Sequence, residues 1–81
     1  MSDIVGNLYE LSNAHGPSGF EGPVRNIVRR ELEGLCDNLE TDGMGSLMGH
    51  FRGSDLSGPT VMIAAHMDEV GLMVRYITAE G

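Results

Sequence analysis

Val61-Met62-Ile63-Ala64-Ala65-His66-Met67-Asp68-Glu69-Val70-Gly71 is the stretch that decides how this chain is read. From Thr60 to Ala65 the residues are apolar or branched, the composition of a buried strand. The run stops at a histidine, and an aspartate follows two residues later. A rigid strand that delivers an imidazole to its C-terminal end is a good mount for a metal ligand. A carboxylate two positions on can accept the ring's other N–H and so fix its tautomer. A hydrogen-bonded structural histidine leaves the same pattern, and from spacing alone it is the more frequent outcome. One histidine is also only one ligand, where a catalytic zinc site uses about three protein ligands and an open position.

The strand sits inside a chain of 81 residues, enough for one small domain at most. A domain of that size buries only roughly 60% of its unfolded surface. With two Tyr, two Phe, no Trp and six Met, any core is aliphatic and thioether, hence easily deformed. A deep catalytic cleft is hard to build from this much material alone. The formal charge of −7 comes from 12 carboxylates against five arginines, with no lysine. That balance argues against nucleic acid, which needs a basic footprint, and against an anionic membrane surface. An acidic field favours divalent metals or cationic ligands, but solubility alone explains it as well.

Cys36 is the single cysteine, so no intrachain disulfide forms, and Leu32 and Leu35 nearby suggest a thiol packed as a small hydrophobe. Met1-Ser2-Asp3-Ile4-Val5-Gly6 has neither the basic nor the long apolar region of a secretory signal. No apolar run approaches the ~18 residues of a membrane span. A reducing cytoplasm fits these features.

Working back from the strand, Ser2 and Asp3 suit a helix N-terminus, and Ile4, Leu8 and Leu11 follow on one face. Asn13-Ala14-His15-Gly16-Pro17 stops that helix. Phe20, Val24, Ile27, Val28, Leu32 and Leu35 form the apolar stripe of a second helix. Ser18 and Glu21 match a capping box, while Pro23 belongs near an N-terminus, so the start lies between Ser18 and Gly22. Arg25, Arg29 and Arg30 fall on the wet face as solvated pairs, with Glu21–Arg25 in the favourable i,i+4 order. Leu39–Asp42 and Ser46–Arg52 flank Gly43-Met44-Gly45 as a hairpin, and residues 53–58 form a surface loop. Gly71–Ile77 reads as a further strand, and Thr78-Ala79-Glu80-Gly81 as the turn of a hairpin whose second arm is absent. The expected core is Met62, Ile63, Leu72, Val74, Leu47 and the two helical stripes. His15 and His50 read as loop or strand-surface residues.

Three segments in order, Leu11-Ser12-Asn13-Ala14-His15-Gly16-Pro17-Ser18-Gly19-Phe20-Glu21, Thr41-Asp42 with Gly45, and Ala64-Ala65-His66-Met67-Asp68-Glu69-Val70-Gly71-Leu72-Met73, resemble the N-terminal part of the M42 metallo-aminopeptidases. These are the relatives of the glutamyl and tetrahedral (TET) aminopeptidases. The resemblance implies a cytoplasmic exopeptidase with two zinc or cobalt ions in one site, which removes N-terminal residues from peptides. It also implies assembly through dimers into tetrahedral dodecamers. On this resemblance His66 is the first metal-binding histidine and Asp68 the catalytic-site carboxylate that orients it. Glu69 shapes the turn. Ser46 stands where the resemblance leads one to expect asparagine after Gly45. The family's bridging aspartate, general-base glutamate, remaining ligands and dimerisation domain have no counterpart in residues 1–81.

The sequence therefore reads as an α/β fold, two N-terminal helices packed on a partial mixed β-sheet, a fragment of a zinc-peptidase catalytic domain spanning residues 1–81. Two function classes follow. One is the N-terminal part of a binuclear aminopeptidase, with weak or no metal binding and no activity by itself, completed by a C-terminal segment or a homo-oligomer. The other is a non-catalytic relative that acts as a binding or assembly module through an open sheet edge.

Overall fold

The structure, a computed structural model, describes residues 3–81. Its elements in chain order are α1 (Ile4–Asn13), α2 (Gly22–Leu32), β1 (Asn38–Thr41) and β2 (Leu47–His50).

Helix α1 begins where the sequence places it. Asp3 has extended backbone angles, and its carboxylate accepts from the Gly6 N–H at 3.0 Å, satisfying one of the donors a helix start leaves orphaned. Ser2, paired with it in the sequence reading, lies outside the described residues. The helix ends at Ala14, whose ψ of 144° turns the chain out of the spiral. The Asn13 side-chain amide covers the Tyr9 carbonyl at 2.8 Å.

Between the helices, Pro17 to Phe20 form a turn in which the Phe20 N–H donates to the Pro17 carbonyl at 2.8 Å. Gly19 takes φ 87°, the left-handed region that its missing Cβ allows. This turn settles the start of α2 at Gly22, with Pro23 in the first turn. The capping box expected from Ser18 and Glu21 does not form. Glu21 is itself the cap residue, and its carboxylate accepts from the Gly19 N–H inside the turn.

The expected hairpin forms, antiparallel, over Asn38–Thr41 and Leu47–His50, with Asn38 opposite His50 and Thr41 opposite Leu47, and the second strand stops two residues short of the expected Arg52. Asp42 organises the turn, since its Oδ1 accepts from the N–H groups of both Met44 and Ser46 at 2.9 Å. Burial alternates along the strands: Leu39, Leu47 and Gly49 are half-buried, whereas Glu40, Met48 and His50 face solvent. A Cβ on Gly49 would lie 3.5 Å from Leu32 Cδ1 and 3.6 Å from Cys36 Cβ, so the end of α2 rests directly on β2. Cys36 is a half-buried free thiol in that contact, as the sequence suggests.

The arginines of α2 do more than face water. Arg25 Nε donates to the Gly45 carbonyl at 2.7 Å, and Arg29 Nη2 to Thr41 Oγ1 at 2.8 Å. Both tie the helix to the hairpin, while the expected Glu21–Arg25 pair also forms at 3.5 Å. Arg30 pairs with Glu10 across to α1 and with Glu31 beside it, and these bonds raise its pKa above the ordinary arginine value.

Beyond His50 the expected strands do not form. Residues 60–65 and 71–77 lie in no strand and have no ladder partner among the described residues, and the parallel pairing is limited to one isolated bridge, Pro17 with Glu69. The expected core is corrected accordingly: Met62, Ile63, Leu72 and Val74 are exposed, Ile63 at 93%, and Leu47 is only half-buried. The physical reason is that strand propensity expresses fit to neighbours, so an apolar run with no adjacent strand stays bare. Ile4, Leu8, Phe20 and Leu35 are likewise exposed. Val24, at 7% exposure, is the buried hydrophobic side chain of the described residues. The radius of gyration of 16.9 Å, against about 12 Å for a compact chain of this length, expresses the same openness. The helix and sheet content is nonetheless the α/β mixture expected from sequence.

Candidate metal-binding site

The segment bearing His66 gains its position from the connection between α1 and α2. The Glu69 N–H donates to the Gly16 carbonyl at 2.9 Å, and the Gly16 N–H donates back to Glu69 Oε1 at 3.3 Å. Gly16 is buried. A Cβ there would lie 2.7 Å from Val24 Cγ2 and 3.7 Å from the Met67 carbonyl oxygen. Only a residue without a side chain lets α2, the inter-helix turn and the His66 segment converge at this point. Two residues past Glu69, a Cβ on Gly71 would stand 3.0 Å from Pro17 Cβ.

Within this mount His66 and Asp68 meet as the sequence predicts. His66 Nδ1 lies 3.1 Å from Asp68 Oδ1 and 3.1 Å from the Asp68 carbonyl oxygen. A backbone carbonyl has no proton to give, and an ionised carboxylate has none either. Nδ1 therefore carries the proton and donates to both, which leaves the lone pair on Nε2. The imidazole is 86% exposed and the Asp68 side chain 47%, so Nε2 is open to an incoming ion. This is the arrangement in which an outer carboxylate orients a metal-binding ring.

Two hollows flank the pair. One, of about 490 Å³, is lined by His66, Asp68 and Glu69 together with Pro17, Leu72 and Met73. The other, about 140 Å³, lies between Asp68 and the hairpin turn at Met44, Gly45 and Ser46, with Glu21 beside it. Asp68 thus borders both, and the hairpin bond from Arg25 fixes one wall of the smaller.

Among the described residues, no three side chains of His, Cys, Asp or Glu gather closely enough to hold an ion together. The donors of this chain fit one ligand position, Nε2 of His66, and not a closed centre. His15 stands near the start of the inter-helix connection, exposed, by Phe20 and Leu72. His50 is on the open face of β2, its Nε2 3.0 Å from Glu40 Oε1. Both are the surface residues that the sequence suggests. What sequence reasoning missed is the share of Glu69 and Gly16, which are 53 residues apart. The one available sign was a Gly-Pro pair placed just after a helix, and it reads first as a stop.

The sequence profile of the family described as M42 glutamyl aminopeptidase matches residues 45–81. The chain is 41% identical over 79 residues to a glutamyl aminopeptidase of Lactococcus lactis, covering 98% of this chain and 22% of that protein. It is 42% identical over 75 residues to a lysyl aminopeptidase of Pyrococcus furiosus, covering 91% of this chain and 21% of that protein. It spans about a fifth of the length of these curated relatives. No solved structure matches it significantly. By sequence, therefore, the chain belongs with the M42 aminopeptidases, as an N-terminal segment of that family.

Proposed function

We propose that this chain supplies one ligand and its orienting carboxylate to a binuclear metal-dependent aminopeptidase that removes N-terminal residues from peptides. The observation that carries this reading is the pair of acceptors on His66 Nδ1, which turns the Nε2 lone pair outward. Zinc or cobalt, when bound in a complete site, supplies Lewis-acid activation of water and of the scissile carbonyl. The part played by this chain is to present Nε2 of His66 in a fixed tautomer, with Asp68 holding the ring. The remaining ligands and the general base come from a C-terminal segment or a second chain.

A glutamyl and a lysyl aminopeptidase match this stretch about equally well. Acidic and basic N-terminal residues ask for opposite charge in the pocket that receives them. In this reading the preference is set by residues outside the stretch shared here. Among the described residues no helix is long and apolar enough to cross a membrane. A cytoplasmic location fits the single free thiol.

Calorimetric titration with zinc tests the ligand assignment. Weak binding is expected for the chain and none for His66→Ala, and equal affinity in the two would overturn the assignment. The same material is expected to release no N-terminal amino acid from peptides, with zinc or cobalt added. Steady release by the homogeneous chain would refute the division of labour proposed here.

A second reading, a non-catalytic binding or assembly module, draws on residues 60–65 and 71–77, which are exposed and lie in no strand. Under that reading the His66→Ala chain keeps its partner in co-purification. Under the first reading, metal and partner are lost together.

A further inference from the structure

We propose that Glu69 is a positioning residue for His66, acting through its two hydrogen bonds to Gly16; the inference rests on the ligand role assigned to His66. Residues 60–65 and 71–77 have no ladder, so nothing in a sheet fixes where the imidazole stands. The link from Glu69 to the inter-helix connection does. Its backbone N–H meets the Gly16 carbonyl at 2.9 Å, and its carboxylate takes the Gly16 N–H at 3.3 Å. Engaged there, Glu69 turns toward the inter-helix connection and not toward the His66 ring.

The neighbouring acid has the other half of the task. Asp68 determines which nitrogen of His66 carries the proton, by direct contact at 3.1 Å. Glu69 determines where the turn holding both residues sits. Because Gly16 has no side chain, the turn approaches closely, within reach of Val24 on α2. The stitch continues at Gly71 against Pro17. Adjacent carboxylates of like chemistry thus have linked duties: Asp68 accepts the Nδ1 proton, and Glu69 holds the turn in the shape that keeps Asp68 in reach of it.

The test uses the whole chain labelled with ¹⁵N at histidine, at about pH 8.5, two units above the reference pKa of a free imidazole. Long-range ¹⁵N–¹H spectra report which ring nitrogen carries the proton. Glu69→Gln keeps an acceptor oxygen for the Gly16 N–H, whereas Glu69→Ala removes it. The amides of Asp42 and Gly45, in the hairpin turn, report that the remainder of the fold is intact. The expected result is an Nδ1-protonated ring in the native chain and in Glu69→Gln, and a mixture of tautomers in Glu69→Ala. Zinc affinity by calorimetry is expected to fall about tenfold in Glu69→Ala and to be restored in Glu69→Gln. An unchanged tautomer in Glu69→Ala overturns the proposal. Equal loss in Gln and Ala, with hairpin amides unmoved, also overturns it, because charge and not the acceptor would then be the cause. The tautomer readout needs no metal, so a failure of the ligand assignment at His66→Ala leaves this result interpretable by itself.

Discussion

Adding one methyl group at Gly16 should release the His66 segment from the helices. In Gly16→Ala the new Cβ would lie 2.7 Å from Val24 Cγ2, where carbon atoms rest about 3.5–4.0 Å apart. Val24 is the buried hydrophobic of the described chain and sits in the first turns of α2, so it cannot swing clear without exposing itself. The inter-helix turn must therefore retreat by about 1 Å. Inserting a carbon into a filled site costs about 1–3 kcal/mol. That cost falls on the bond between the Glu69 N–H and the Gly16 carbonyl, which the retreat stretches. One to three kcal/mol changes an opening equilibrium about 5–150-fold. Amide hydrogen exchange at Glu69, followed by NMR, reads that factor directly. The amides of Asp42 and Gly45 belong to the hairpin turn and should exchange at their native rates. Native exchange at Glu69 in the variant would show that the Gly16 contact does not hold the segment, and the reasoning would fail.

Replacing Arg25 by Met keeps the aliphatic stem and removes the bond to the Gly45 carbonyl; with the arginine side chain 21% exposed, the loss should be about 1–2 kcal/mol, seen as faster exchange of the Asp42 and Gly45 amides with α1 unaffected. Unchanged hairpin exchange would mean that Arg25 is only a solvated charge. Asp55 offers a pH test, because the Ser57 hydroxyl and then the Ser57 N–H hold its carboxyl below the usual aspartate pKa. A depressed carboxyl stabilises the loop above the usual aspartate range, and that contribution disappears as pH falls through the lowered pKa. A ¹³C titration of Asp55 should show a midpoint below about 3.9, rising in Ser57→Ala, and a native midpoint at or above that value would contradict the hydrogen bonds.

The features legible in the sequence are the local ones. Asp3 caps its helix through an N–H three residues on, Asp42 and Gly45 make a turn within five residues, and His66 meets Asp68 two positions on. Each is written in adjacent residue types, and neighbours in the chain cannot avoid each other. The start of α2 was ambiguous because Pro23 suits several early positions, and the Pro17–Phe20 turn resolves it. The reaches of Arg25 and Arg29 to the hairpin were hidden by helical periodicity, which tells wet from dry but says nothing of what a long side chain touches. The Gly16–Glu69 contact joins residues too distant for any window of sequence to pair. The run from Val61 to Ala65 misleads in the opposite way. Its hydropathy states a need for cover, and among the described residues no neighbouring strand meets that need.

That uncovered run also governs how the molecule behaves in a concentrated solution. Pro59 on one flank and Asp68 and Glu69 on the other act as gatekeepers, since a ring without an N–H and two acids both oppose stacking of ribbons from separate molecules. Mutual repulsion from the charge of −7 does the rest near neutrality. As pH descends toward the isoelectric point near 4.6, the repulsion vanishes while the greasy ribbon remains. Turbidity should then set in at the acidic end, governed by Val61 to Ala65.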